Sequence, residues 1–137
     1  MNLELENRIA VVTGGGSGIG RETALAMAAA GASLALIDRD EAAAQRVAAE
    51  IETSGRAAIG VRCDVTQPAE VERAFDAIMA HYGRIDCAFN NAGIEGRYAR
   101  TVDYTDEDFA QTFAVNVHGV FYCLRRELRE MLKNPDG

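Results

Sequence analysis

The sequence lacks a long apolar run and has few basic residues. No apolar stretch approaches the roughly 20 residues that a membrane-spanning helix needs, so we expect no membrane partner. The start of the chain, Met1 to Glu6, is polar and acidic, which is not typical of a signal or transit peptide. With 14 basic against 21 acidic side chains, the net charge is −7. Since such a chain would on average repel a phosphate polymer, we expect no nucleic-acid partner.

Cysteine and histidine are also scarce. The three cysteines, Cys63, Cys87 and Cys123, are odd in number and form no CxxC pair. This pattern favours reduced thiols over a disulfide framework or a zinc site. The two histidines, His81 and His118, are far apart and have no metal-ligating neighbours in the sequence. We therefore expect no metal site and predict a cytoplasmic protein.

What the sequence does contain is enough apolar material for one domain, with 48% apolar residues among 137. Short apolar runs alternate with longer helical segments, and runs without polar alternation suit strands that are buried on both faces. This alternation predicts an α/β fold, a doubly wound parallel sheet with helices on both faces. The strands are expected at 9–12, 34–37, 58–61 and 87–89, and the helices at 19–30, 41–53, 68–82 and 105–133.

The predicted last helix is the longest. Thr105 is its expected N-cap, and Asp108 three residues later completes a variant of the capping box. Apolar residues recur at helical spacing along one side of this helix. That stripe consists of Phe109, Phe113, Val117, Val120, Leu124, Leu128 and Met131.

A glycine-rich segment, 13–20, joins the first predicted strand to the first helix. A plain flexible turn is one interpretation, although five glycines in seven residues cost much backbone entropy. A P-loop is another, but Arg21 and Glu22 replace the lysine and hydroxyl that it requires. The third is a dinucleotide loop, spaced Gly14-x-x-x-Gly18-x-Gly20 rather than GxGxxG. We favour it because such a loop brings free N–H groups and a helix N-terminus to a pyrophosphate.

An acidic residue after the second strand strengthens the dinucleotide interpretation. A carboxylate at Asp38 can accept hydrogen bonds from both hydroxyls of an adenosine ribose, and it would repel a 2′-phosphate. Ser17 adds no positive charge to the loop, which also favours NAD over NADP. Arg39 complicates this, since a basic residue could accommodate the phosphate. The alternative role for Asp38 is an N-cap of the helix that begins near Asp40.

Four motifs in this order resemble the classical short-chain dehydrogenase/reductase family. The TGxxxGIG pattern is present from Thr13 to Gly20, and NNAG is present from Asn90 to Gly93. Asp64-Val65 resembles the adenine-contacting pair of the family, and Asn116 matches its helical catalytic asparagine. The resemblance covers essentially the whole chain. It implies a Rossmann-type sheet of order 3-2-1-4 and, as cofactor, NAD more than NADP.

The resemblance also assigns roles to residues. Asn116 would be catalytic, because a local helix distortion around it would position a water in a proton relay; a merely tolerated polar residue is the alternative. Asp64 would bind the exocyclic amine of adenine with the Val65 backbone against the ring, although an ordinary strand-end turn explains the pair as well. Asn90 would approach a cofactor ribose, with Asn91 and Gly93 holding the loop against the sheet. The full set of expected cofactor-binding residues is Gly14, Ser17, Gly18, Ile19, Gly20, Asp38, Arg39, Asp64, Val65, Asn90, Ala92 and Gly93.

The Tyr-x-x-x-Lys pair of the family is missing. The only lysine is Lys133, and Arg129 stands four residues before it. We interpret the nearest imitation, Tyr122 with Arg126, as structural, since arginine does not replace the lysine without a change of geometry. The active-site serine of the family is missing as well, because Ser17, Ser33 and Ser54 belong to the loop or to helix and strand ends.

The chain therefore resembles the N-terminal, cofactor-binding half of such an enzyme, with residues 1–137 as one domain. We expect a truncated, cleaved or self-associating chain whose sheet is incomplete on its C-terminal side and whose last helix has an uncovered apolar face. The expected function is hydride transfer between NAD(H) and an alcohol or ketone in a homo-oligomer, with these 137 residues inactive alone. A non-catalytic dinucleotide-binding or regulatory module is the alternative.

Overall fold

The computed structural model describes residues 4–136, which form a parallel sheet flanked by helices. The strands are β1 (Ile9–Thr13), β2 (Ser33–Asp38), β3 (Ala58–Arg62) and β4 (Cys87–Asn90). Their order in the sheet is β3-β2-β1-β4, which confirms the predicted topology. The register places Ala10 between Leu34 and Cys87, and Leu34 in turn opposite Ala58. All three strand pairs are parallel, so the carboxyl ends of the strands share one edge of the sheet.

The helices begin and end close to the predicted positions. They are α1 (Gly18–Ala29), α2 (Glu41–Thr53), α3 (Pro68–Tyr82), α4 (Asp106–Phe113) and α5 (Val120–Met131), with a 3₁₀ turn at Thr101–Asp103. The predicted single last helix is continuous, but its middle, Ala114–Gly119, is π-helical. Thr105 caps α4 through a complete capping box with Asp108, as predicted. No helix within residues 4–136 combines the length and the apolar character that crossing a membrane requires.

Neighbouring strand residues face opposite sides of the sheet, which creates two cores. On one side Val12, Leu34 and Leu36 pack with small residues of α1 and with Ile51 of α2. The other core contains Val11, Ala35 and Ile37 together with α3, the π-helical segment and α5. Since β1 and β2 are buried on both faces, their uninterrupted apolar runs are explained.

The last helix turns most of its apolar stripe away from the sheet, although Met131 packs against the core. Phe109, Phe113 and Leu124 are all more than 40% exposed. The side of α5 that packs against the protein instead buries Cys123 and three charged residues, Arg126, Glu127 and Glu130. Arg126 is paired with Glu72 and Asp76 of α3 and with Glu130 on its own helix. The uncovered apolar face was predicted, whereas the charged buried side was not.

A cluster of charged side chains lies at the edge of the sheet where the strands begin, opposite the edge where they end. Asp86, just before β4, accepts a hydrogen bond from the Ile9 backbone N–H at 2.8 Å. Arg8 and Arg84 both bind Asp86, and both also bind Asp136 near the end of the described chain. The two guanidinium groups hold the pKa of Asp136 down at about 2. We call these four side chains the amino-end cluster.

Candidate functional site

A cavity of about 400 Å³ opens at the edge of the sheet where the strands end. Its walls come from the glycine segment, from the residues that follow β2 and β3, and from the loop after β4. In parallel sheets, ligands bind in this position, where the connections on the two sides of the sheet diverge. The lining residues are Gly14, Ser17, Gly18, Ile19, Ile37, Asp38, Arg39, Cys63, Asp64, Val65, Asn91, Ala92, Gly93, Ile94, Gln111 and Val115.

The glycine segment forms a tight turn between β1 and α1. Gly14 and Gly18 have φ values of +64° and +53°, a backbone region that side chains disfavour. A Cβ at Gly20 would collide with the Gly14 carbonyl oxygen and lie 2.6 Å from Asn91 Nδ2. The turn therefore folds back onto the first turn of α1, and only glycine leaves room for it. This explains why position 20 needs glycine. Gly20 is among the predicted cofactor-binding residues, but it does not itself line the cavity.

Asp38 lies at the cavity rim, and both its carboxylate oxygens are held by the backbone. Oδ2 accepts a hydrogen bond from Gly16 N at 2.9 Å, and Oδ1 accepts one from Asp40 N at 3.0 Å. The N-cap of α2 is Asp40, whose side chain accepts from Ala43 N. The alternative interpretation of Asp38 as the cap is therefore wrong. Arg39 lies beside it, exposed and facing the same cavity.

Asp64 and Val65 form the wall that follows β3. Asp64 Oδ1 accepts hydrogen bonds from the backbone N–H and the hydroxyl of Thr66, at 2.9 and 2.7 Å. A Cβ at Gly119, in the π-helical segment, would lie 2.7 Å from Val65 Cγ2. Gly119 thus lets the helix approach this wall closely. The pair does build a strand-end turn, and that turn also lines the cavity.

The loop after β4 is tied to the glycine segment through Thr13 and Asn91. Thr13 Oγ1 accepts hydrogen bonds from the N–H groups of Asn91 and Ala92, both at 3.0 Å. Asn91 Nδ2 donates to the carbonyls of Thr13 and Gly14, at 3.1 and 3.2 Å. The predicted holding role of Asn91 is confirmed, but its place in the cavity wall was missed. Its only signal in the sequence was its position beside the predicted contacts.

The side chain of Asn90 points away from the cavity. It does not line the cavity, because Nδ2 donates instead to Glu127 Oε2 at 2.7 Å. Glu127 is 1% exposed, and this burial raises the pKa of its carboxyl group to about 7 despite the hydrogen bond from Asn90. Asn90 Oδ1 and Glu127 Oε1 have no hydrogen-bond partner among the described residues. The last residue of β4 thus directs its side chain to α5, and the approach of Asn90 to a cofactor ribose stays a prediction.

Asn116 uses both ends of its side-chain amide to hold the loop after β4. Oδ1 accepts a hydrogen bond from Ile94 N, and Nδ2 donates to Ile94 O, each at 2.8 Å. The helix distortion implied by the family resemblance is confirmed, because Asn116 lies within the π-helical segment. The side chain does not line the cavity, although its partner Ile94 does. A catalytic role for Asn116 stays a prediction.

The remaining wall residues were not predicted from the sequence. Ile37 and Cys63 directly precede the two predicted acids in the sequence. Gln111 lies on α4 and Val115 in the π-helical segment, both far from those acids along the chain. The Cys63 thiol is buried, and burial raises its pKa to about 12. Within residues 4–136, no three histidine, cysteine or acidic side chains lie together as metal ligands would. The cavity is therefore lined by the glycine turn, two acids, one arginine, polar side chains such as Asn91 and Gln111, and apolar residues.

A model of the short chain dehydrogenase family matches residues 8–137. Levodione reductase of Leifsonia aquatica is 40% identical over 133 residues, covering 96% of this chain and 50% of the relative. The 7alpha-hydroxysteroid dehydrogenase of Escherichia coli K12 is 36% identical over 136 residues, covering 99% and 52%. The structure of an NAD⁺-bound xylitol dehydrogenase matches with a TM-score of 0.91 at 36% identity, covering 94% and 50%. The chain thus spans about half the length of the proteins it matches.

Proposed function

The chain belongs to the short-chain dehydrogenase family, and we propose that it forms the cofactor-binding part of an oxidoreductase that moves hydride between NAD(H) and an alcohol or ketone. The observation that carries this proposal is the joint presence of the glycine turn and Asp38 at one rim of the cavity. Gly16 N–H links them directly. The relatives' names support the reaction class, since levodione reductase and cyclohexanol dehydrogenase match over nearly the whole chain.

The pyrophosphate of the cofactor would lie on the turn where α1 begins. No basic side chain stands between Gly14 and Gly20, so the attraction would come from backbone N–H groups and the positive end of the helix. Arg21, the next basic residue, is already paired with Glu22 and Glu50. The space that Gly18 leaves open fits a group that approaches the backbone closely, because a Cβ there would meet nothing within 4 Å.

The adenosine ribose would bind Asp38, and this contact favours NAD. The backbone donors from Gly16 and Asp40 leave each carboxylate oxygen able to accept a further hydrogen bond. A 2′-phosphate at the same place would meet a negative charge. Arg39 could offset that repulsion, so we propose a preference for NAD rather than an absolute choice. The match to an NAD⁺-bound xylitol dehydrogenase supports the preference.

The other cavity walls would hold the adenine and the nicotinamide ribose of the dinucleotide. Asp64 and Val65 are proposed to contact the adenine, while Ala92 and Gly93 lie on the side where the nicotinamide ribose would bind. NAD would supply the hydride acceptor of the reaction, and these residues would bind and orient it. Asn116 is proposed to position this region through Ile94, whose N–H and carbonyl it holds.

The alternative is a non-catalytic dinucleotide-binding or regulatory module, which would keep the nucleotide cavity and carry out no reaction. On either proposal we expect nucleotide binding without alcohol–ketone turnover by these 137 residues. We further propose one domain in a cytoplasmic homo-oligomer. The exposed stripe on the last helix, which includes Phe113 and Leu124, supports self-association because large apolar patches are typical of interfaces.

Calorimetric titration with NAD and NADP tests the cofactor proposal. Asp38→Ala should weaken NAD binding more than tenfold, because losing hydrogen bonds to a charged group costs about 1.5–3 kcal/mol. NADP binding should change less. Glu41→Ala is the matched control, since it removes a nearby acid that does not line the cavity. Unchanged NAD affinity in Asp38→Ala, or no NAD binding by the unaltered chain, would contradict the proposal.

A further inference from the structure

We propose that Gly16 is a positioning residue for cofactor selection: it fixes the Asp38 carboxylate in the orientation that accepts an unphosphorylated ribose. The inference depends on the proposed NAD site, because the role of Asp38 comes from that proposal. It concerns a different residue, however, and a different physical cause. Gly16 does not line the cavity and would act only through Asp38.

The space around Gly16 is filled on the side where a side chain would project. An ideal Cβ there would lie 2.8 Å from Asp38 Oδ2, 2.8 Å from Ala43 Cβ and 3.1 Å from Ala44 N. When a Cβ would lie less than about 3.0 Å from another atom, the substituted residue or its neighbour has to shift. Ala43 and Ala44 are buried in α2, so the least resistant neighbour is the Asp38 carboxylate. A single methyl group at Gly16 would therefore push that carboxylate away and also press against Ala43 of α2.

The requirement for glycine at this position is one of space and not of backbone conformation. Gly14 and Gly18 have positive φ values, but Gly16 does not. Substitution by alanine therefore brings no left-handed strain, and its effect is confined to the crowded contacts. Gly15 is similar in this respect: its φ is not positive, and a Cβ there would meet Val12 O and Leu36 rather than Asp38.

The backbone of Gly16 adds an attractive contact to this steric one. Its N–H donates to Oδ2, and the Asp40 N–H donates to Oδ1 from the start of α2. Each donor binds a different oxygen of the Asp38 carboxylate, one from the glycine turn and the other from the start of α2. Since the Gly16 N–H is engaged in this way, other N–H groups of the turn would serve the pyrophosphate. The turn and the ribose-binding acid thus behave as one rigid unit.

The test compares NAD and NADP affinities of four variants with those of the unaltered chain. Gly16→Ala should weaken NAD binding by about fivefold or more, since it disturbs a hydrogen-bonded charge, with NADP affinity within about twofold. Gly15→Ala, the control, should shift both affinities by the same factor. The double variant Gly16→Ala/Asp38→Ala should bind NAD as Asp38→Ala does, because the two changes act through one group.

A nucleotide-free measurement separates this inference from the proposed function. In Asp38→Ala, amide hydrogen exchange at Gly16 should become at least about tenfold faster, because its acceptor is lost. Equal losses for NAD and NADP in Gly16→Ala, additive losses in the double variant, or unchanged Gly16 exchange would overturn the inference alone. If the unaltered chain binds no NAD, the proposed function fails, and the selection role of Gly16 fails with it.

Discussion

Glu127 should make the stability of this protein decrease between about pH 4.5 and pH 7. Its carboxyl group is buried beside Asn90, and burial raises its pKa from 4.5 to about 7. Because the folded state binds the proton more tightly than the unfolded state, this contribution is fully present below pH 4.5. It is lost as the pH rises towards 7. At 1.36 kcal/mol per pKa unit, the loss amounts to about 3 kcal/mol.

The substitution Glu127→Gln removes the ionisation and keeps an oxygen that can accept the Asn90 N–H. We expect the variant to be as stable as the unaltered chain near pH 4.5 and more stable by up to about 3 kcal/mol at pH 8, because no buried charge then forms. Urea unfolding followed by circular dichroism across this range measures the difference. Glu107→Gln, at an exposed position on α4, controls for the loss of one negative charge. Parallel stability curves for Glu127→Gln and the unaltered chain would refute the reasoning.

Two further predictions concern packing and the loop after β4. Gly60→Ala would place a Cβ 2.6 Å from Gln45 N and 2.7 Å from Ala44 C, so α2 must move off β3 and the free energy of unfolding should fall by about 1–3 kcal/mol. A loss below about 0.5 kcal/mol in urea unfolding would show that the helix yields easily. Asn116→Ala removes both hydrogen bonds to Ile94 and should lower stability by about 1–2 kcal/mol. Amide exchange at Ile94 should accelerate, and unchanged exchange would disprove the holding role.

Most of the fold could be predicted from local sequence patterns. The buried runs of β1 and β2, the proline that opens α3 and the glycine that ends it each leave a signal within a few residues. The strand order came with the family resemblance, and so did the helix distortion around Asn116, which corresponds to the π-helical segment. Contacts between distant parts of the chain left no such signal.

The Asn90–Glu127 pair shows why parts of the site could not be predicted. In the sequence, Asn90 belongs to a cofactor motif, and Glu127 is one of several charged residues on an amphipathic helix. Their meeting depends on how α5 packs against β4, and the predicted uncovered stripe did not show which charged residues the other side of the helix would bury. The charged side of α5 packs against the protein, so the side chain of Asn90 points towards Glu127 on that side. The next residue, Asn91, lines the cavity instead.

The amino-end cluster suggests how the protein can be immobilised for binding measurements. Asp136 is held by Arg8 and Arg84 beside the beginning of β1, whereas the cavity opens where that strand ends. A strand of five residues spans roughly 17 Å. An affinity tag or fluorophore joined beyond Asp136 would therefore start from the side of the domain that is remote from the cavity. A sensor surface that captures the tag would present the cavity to the solution.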